Sequence, residues 1–449
     1  MIAMPRIIPA VLRRNRRKNS IRAPRELFLR CRMDISMKQF ALLSTSALLA
    51  ALMVGCNSAP TETKPTTETT TGEKPAETTA ARPASPGEGN KQEGETYKIG
   101  IVASLNGELK PWGDDSLAGA KLAVIEANKA GGINGKKVEL LIEDSASKAE
   151  QGKTAADRLI SKGAIAIVGE VASGITAQIG NSAFDAGIPV VAIGATRTDI
   201  TDKGNNVFRV CYTDDFQGPV MAKFAYEELN NRKVAIFTDN KQTYSVGLSE
   251  SFKKEFIKLG GEIVAEEFYN SGDQQFNGQL TNIKGKNPDS MFLSGYFTEV
   301  GLIARQSKDA GLKVSLLGGD GWDSEDLVAG GGEAILGGYF CNHYSSTEAR
   351  PEVGQFLEMW KAAYNGKAPG TTMGALGYDA VMLTVDAAKR SKSADSKGLI
   401  TALEETERFP AISGEITLKG MNGNPPKRAL VVEVTKTGQV FRKAYDFFK

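Results

Sequence analysis

Short apolar runs and longer amphipathic stretches alternate along this chain from Tyr97 onward. Residues 98–103, 138–142 and 164–168 are compact apolar runs of strand length. Between the first two, Leu117, Ala120, Val124 and Ala127 recur at helical spacing, and Gly131 and Gly132 end that helix. Residues 149–161 repeat the helical pattern, and 188–193 form another buried-strand run. A second series begins after Phe216. It reads as helix 218–230, strand 234–238, helix 247–259, strand 262–268, helix 275–283, strand 290–293, helix 299–310 and strand 314–317. Such alternation predicts parallel sheets with helices on both faces, and two series predict two lobes. After Tyr339 the order changes to helices 351–364, 373–388 and 397–404, then strands 415–418, 429–434 and 440–447. Late helices followed by late strands do not extend one sheet. They predict an α/β fold of two doubly wound parallel-sheet lobes between which the chain crosses several times. The expected division is 97–213 with 346–411 in the first lobe, and 214–345 with 412–449 in the second.

The stretch 168–201 concentrates the candidate chemistry. Gly169 ends one strand, and Ser173 stands where a helix N-cap belongs, ahead of Ile175, Ile179 and Ala183. The next strand ends at Gly194, Ala195 and Thr196. Both strands deliver a small residue and a hydroxyl to the carboxyl edge of a parallel sheet, where ligands bind. Free backbone N–H groups, a hydroxyl and a helix N-terminus suit a carboxylate. The plainer alternative is that Ser173 and Thr196 only cap helices.

The formal charge of +2 conceals an asymmetry. Residues 1–55 hold 11 of the 55 Lys/Arg and 2 of the 53 Asp/Glu, which leaves the remainder at −7 and argues against nucleic acid as a partner. Residues 1–36 are basic and without period, an extension that an upstream start codon would explain. Residues 37–56, MKQFALLSTSALLAALMVGC, have the charge, apolar run and small-residue end of a secretory signal. They resemble a lipoprotein signal, which implies that Cys56 carries lipid and anchors the chain to a membrane. Residues 57–96, rich in Thr, Glu and Pro, read as a disordered tether. The body is thereby expected outside the cytoplasm, in a periplasm or at an outer membrane face. None of the four cysteines forms a C-x-x-C pair, and the single histidine, His343, has no second histidine with which to share a metal. No metal and no cofactor is expected.

The body, from 97 to the C-terminus, resembles the branched-chain amino acid type of bacterial solute-binding protein, of periplasmic binding protein type I. The matching stretches are NKAGGINGKKVELLIEDSAS (128–147), GEVASGIT (169–176), GIPVVAIGAT (187–196), DDFQGP (214–219), ARQSKDAGLK (304–313), LGGDGW (317–322) and GEITLKGMNGNPPKRALVVEV (414–434). The resemblance implies two lobes joined by three hinge crossings, an amino acid in the cleft, and an ABC permease complex as partner. Carried over by position, Ser173 with the backbone of Gly194, Ala195 and Thr196 holds the α-carboxylate, Asp320 takes the α-ammonium, and Trp112, Tyr244 and Tyr296 line the pocket. Glu170 stands at the mouth of the first turn and Arg197 just after Thr196; if either points inward, the ligand side chain is polar, since a buried unpaired charge is costly. Cys211 and Cys341 each end a strand that leads into a crossing. They could pair as a disulfide in an oxidising compartment, or remain buried thiols.

No G-x-G-x-x-G, P-loop, G-x-S-x-G or H-E-x-x-H motif occurs, so no enzyme activity is expected. The alternatives are a ligand-sensing receptor subunit for a separate signalling partner and, more remotely, a hydrolase of a small amide.

Overall fold

The computed structural model describes residues 96–446 apart from Ala394. The basic extension, the signal with Cys56 and all but the last residue of the tether lie outside the described residues. All the described residues belong to one compact unit, Glu88–Lys449.

Two sheets organise it. The first is built from β1 (Tyr97–Ala103), β2 (Val138–Asp144), β3 (Ala166–Val168), β4 (Val190–Ala192) and β5 (Val207–Arg209), alternating with α1 (Lys110–Lys129), α2 (Ala149–Ser161) and α3 (Ser173–Ala186). Its strands are parallel in the order β2-β1-β3-β4-β5. The second begins with α4 (Asp214–Lys223), whose last turn continues as a π-helical turn over Phe224–Glu228. Then follow β6 (Lys233–Asp239), α5 (Thr243–Lys258), β7 (Glu262–Tyr269), α6 (Asn277–Gly285), β8 (Ser290–Ser294), α7 (Phe297–Asp309), β9 (Ser315–Gly318), α8 (Glu325–Gly331) and β10 (Tyr339–Asn342). The chain next returns to the first sheet with α9 (Pro351–Ala363), α10 (Met373–Arg390) and α11 (Ser396–Glu404); α10 packs on α1, β3 and β4. It ends as β11 (Ala429–Thr435) and β12 (Gly438–Tyr445), which join the second sheet antiparallel. That sheet runs β12-β11-β10-β9-β8-β6-β7.

The α1–α10 contact explains why both helices carry glycine. A Cβ on Gly119 would fall 1.9 Å from the Gly374 carbonyl oxygen, and one on Gly377 would fall 2.4 Å from that of Ser116. The helix axes can approach this closely only where side chains are absent.

Three expectations change. Residues 415–418 form no strand; Ile416 makes only an isolated bridge to Phe409. The stretch from 412 to 424, expected with the second lobe, stays against the first sheet: Arg209 N–H donates to Gly423 O at 3.1 Å and Asn424 Nδ2 to Thr201 Oγ1 at 3.0 Å. Ser173 does not cap α3. It is the first helical residue, the cap position is Ala172, and no side chain caps it.

Candidate functional site

In each sheet the strand order reverses once beside its first strand, between β1 and β3 in one and between β6 and β8 in the other. Loops leaving adjacent strands diverge at such a point and open a crevice at their carboxyl ends. The two crevices face each other. From the first sheet come Trp112 in the opening turn of α1, Val171 after β3, Gly194 after β4, and Met373 at the start of α10. From the second come Tyr244 at the start of α5, Tyr296 after β8, and Asp320 with Gly321 after β9.

These residues line a cavity of about 10 Å³. That is no more than the roughly 10–15 Å³ of such space that one water needs, so a larger ligand enters only if the two sides part. The wall is aromatic. Trp112 meets Tyr296 edge-on at 5.1 Å, and Tyr296 stacks on Tyr244 at 5.4 Å. Gly321 permits the close approach there, since a Cβ would lie 2.6 Å from the Gly295 carbonyl oxygen. Direct bonds between the two sides include Trp112 Nε1–H donating to Asp323 O at 2.7 Å and Arg197 Nη1 donating to Thr243 Oγ1 at 2.6 Å.

Asp320 is the charged group of this cavity and is buried. Its Oδ1 accepts from Tyr244 OH at 2.8 Å and from Gln217 Nε2 at 2.9 Å; its Oδ2 lies 3.1 Å from His343 Nε2. Gln217 also donates to Asp214 Oδ1 at 2.7 Å, so one amide bridges two buried carboxylates. Burial, and then the charge of Asp320, push the Asp214 carboxyl up to about 7. Burial, reinforced by Asp320, holds the Tyr244 hydroxyl well above its ordinary value, so it stays a neutral donor. A larger cavity of about 550 Å³ lies on the hinge side, where the buried carboxylate of Asp323 is held by neighbouring residues of the chain. Asp323 takes Thr372 N and Oγ1 on Oδ2 at 2.7 and 2.6 Å, and Gln439 Nε2 on Oδ1 at 2.7 Å.

Of the residues singled out in the sequence, Trp112, Gly194, Tyr244, Tyr296 and Asp320 line the small cavity. Ser173, Ala195, Thr196 and Glu170 stand behind its wall. Ser173 Oγ accepts from Arg197 N at 3.2 Å. The Ala195 carbonyl accepts from Arg209 Nη1 at 2.7 Å, and the Thr196 carbonyl from Asp214 N at 2.8 Å. Glu170 turns inward to its own loop. It accepts from Ser104 Oγ and Ser145 Oγ at 2.5 and 3.0 Å, and from Val171 N and Ala172 N at 2.9 Å each. Arg197 pairs with Asp199 and Thr243.

Cys211 and Cys341 are not joined; both thiols are free and buried. Cys211 Sγ donates to Ala195 O at 3.3 Å, and burial pushes its thiol up to about 12. What links the two crossings is a ring stack one residue beyond Cys211 and two beyond Cys341: Tyr212 on His343, centroids 4.1 Å apart and 22° from parallel. Sequence reasoning passed over Gln217 and Met373, and set His343 aside as a histidine without a partner. Gln217 lies inside the DDFQGP motif, and His343 is the single histidine; only their positions could have drawn attention.

Two facing α/β lobes around a small interlobe cavity define a two-lobed solute-binding protein. The chain belongs to the periplasmic binding protein family, which it matches over residues 96–439. It is 34% identical over 321 residues to the Leu/Ile/Val-binding protein BraC3 of Rhizobium johnstonii, covering 71% of this chain and 86% of that protein. The solved structure of the leucine binding protein LivK from Thermotoga maritima aligns with a TM-score of 0.74 at 35% identity, over 78% of this chain and 99% of that one. The branched-chain amino acid transporter substrate binding protein LivJ from Streptococcus pneumoniae, in complex with isoleucine, aligns at 0.73 and 32% identity with the same coverage. A solute binding protein from R. palustris in complex with benzoate shares the fold at 0.69, with 23% identity, over 78% of this chain and 96% of that one. The fold alone therefore does not name the ligand.

Proposed function

We propose that this chain is the extracytoplasmic solute-binding component of an ABC importer and that it binds a branched-chain or other neutral amino acid. The observation that carries this reading is Asp320, a buried carboxylate on a small cavity walled by Trp112, Tyr244 and Tyr296. A buried anion needs a cationic partner, and an α-ammonium supplies one. The rings offer an apolar wall to an aliphatic side chain. The α-carboxylate falls to Ser173, Thr196 and the backbone from Gly194, once the ligand displaces the present contact of Ser173 with Arg197 N. Relatives that carry Leu/Ile/Val- and leucine-binding names support the same class.

An aromatic or aliphatic acid without an ammonium would leave Asp320 a buried anion without a cationic partner, so the benzoate-type ligand is disfavoured here. Contacts from both sides would be made together only with the crevice closed, so ligand favours the closed form, and that form docks on a permease complex in the membrane. A lipid anchor at Cys56 would hold the body at the membrane face. A binding role needs no chemistry from the site, which is consistent with a protein that is not an enzyme.

The test is a thermal-shift screen of the twenty amino acids, benzoate and small amides, followed by calorimetry of each hit. Stabilisation by leucine, isoleucine or valine with recovery of unchanged ligand supports the reading. Stabilisation by benzoate alone, or conversion of an amide, overturns it.

A further inference from the structure

His343 is the chain's single histidine, it is buried, and it stands on the crossing that follows β10. Its Nε2 lies 3.1 Å from Asp320 Oδ2. An ionised carboxylate only accepts hydrogen bonds, so Nε2 carries the hydrogen. Nδ1 has no hydrogen-bond partner among the described residues. A proton placed there would be a buried donor without an acceptor and would put a second charge in a buried site. With Asp320 as an acceptor on one side and no acceptor on the other, the geometry favours an Nε2–H ring, and the Tyr212 ring stacked against it at 4.1 Å fixes its plane.

A carboxylate offers about four acceptor positions. Tyr244 and Gln217 occupy both on Oδ1, and His343 occupies one on Oδ2. One remains, on a residue that lines the cavity. We propose that His343 is a positioning residue that sets the charge selectivity of the site. By donating from a neutral ring it holds Oδ2 with a single acceptor position toward the cavity and leaves the charge of Asp320 uncancelled. The site then takes ligands that bear an ammonium group and rejects the matching carboxylic acids that lack one. This rests on the reading of Asp320 as the ammonium partner. A cationic residue in place of His343 would cancel the charge and remove the discrimination.

Two measurements on the full chain, made without a histidine tag, test it. The first is ¹⁵N NMR of histidine-labelled protein, where the single histidine gives an unambiguous pair of ring signals. Near neutral pH and without ligand, Nε2 should be protonated and Nδ1 bare; a doubly protonated ring overturns the proposal. The second is calorimetry with L-leucine and with 4-methylpentanoate, the same skeleton without the ammonium. The wild type should prefer leucine by at least about 100-fold. His343→Leu should cut that preference by about tenfold or more, and His343→Gln, which keeps an N–H donor, should restore most of it. A role in packing alone would weaken both ligands together and leave their ratio unchanged, and that result overturns the proposal. If the wild type binds no amino acid, the reading of its function fails on its own, and the NMR result still decides the pairing of His343 with Asp320.

Discussion

Trp112 and Asp323 are 211 residues apart in sequence, yet the indole Nε1–H of one donates to the carbonyl of the other at 2.7 Å across the crevice. Trp112 is thus both a wall of the cavity and a tie between its two sides, since its ring meets Tyr296 edge-on while its N–H holds the turn after Asp320. Trp112→Phe keeps a ring and deletes the tie. A hydrogen bond of this kind contributes about 1 kcal/mol, so the closed-to-open ratio should fall about fivefold. Small-angle scattering of the ligand-free chain should show a larger radius of gyration for the variant, and leucine should bind more weakly, by up to about fivefold. Identical scattering and affinity would show that the tie does not bias closure.

Asp320→Ala removes the anion that faces the cavity. An ammonium buried there would lose its partner, at a cost of roughly 3–5 kcal/mol, so calorimetry should detect no amino acid binding. Asp320→Asn keeps the shape and one acceptor, and should also fail, because the charge rather than the hydrogen bond supplies most of the attraction. Unchanged affinity in the asparagine variant would remove Asp320 from the ammonium site.

Much of the architecture was legible because helix and strand periods are local. The helix at Ala149–Ser161 falls at its expected bounds, and most strands agree within two residues. The helix expected at 218–230 begins instead at Asp214 and carries Pro219 within it, since the acidic pair Asp214 and Asp215 opens its first turn. The aromatic wall and Asp320 were found from the resemblance. The polar wiring was not. Gln217 reaches Asp320 across 103 residues, and His343 reaches it from another strand end, so neither bond leaves a local trace. Ser173 and Thr196 sit at the expected strand ends, but their hydroxyls turn to Arg197 N and Gln217 rather than into the cavity.

The free state of Cys211 and Cys341 has a chemical consequence. Both thiols are buried and pushed above the ordinary range, so the reactive thiolate is scarce near neutral pH. Iodoacetamide should leave both unmodified in the native chain and label both after guanidinium denaturation, with peptide mapping to assign the sites. A non-reduced peptide joining the two would contradict this.

Gly119 tests the helix contact on which the first side of the site is mounted. A side chain there must displace the backbone of α10, whose first residue, Met373, lines the cavity. Gly119→Val should lower stability in urea by about 1–3 kcal/mol or more, as overpacking does. It should also weaken leucine binding, because α10 carries Met373 outward. A loss of stability without any loss of affinity would mean that the helix moves without its cavity residue.

Asp214 makes stability depend on pH with a definite sign. Its carboxyl is raised from 3.8 to about 7, first by burial and then by Asp320. Between those values the folded chain keeps a proton that the unfolded chain has released. Its contribution to stability therefore falls as pH rises through that window and is least favourable above pH 7. Asp115, raised to about 6 mainly by burial, acts in the same direction, whereas Asp144, held below its ordinary value by Asn106 and backbone N–H groups against a burial that opposes it, acts in the other. Comparing Asp214→Asn with the wild type cancels the groups common to both. The variant carries no charge to bury, and Asp320 loses its like-charged neighbour. Its advantage in urea denaturation should thus grow between about pH 4.5 and pH 8, to at most about 2–4 kcal/mol. Arg209, which favours the charged form of Asp214, trims this gain without reversing it. Parallel stability curves for the two proteins across that range would show that Asp214 is ionised throughout, and that Gln217 bridges two charges rather than a charge and a neutral acid.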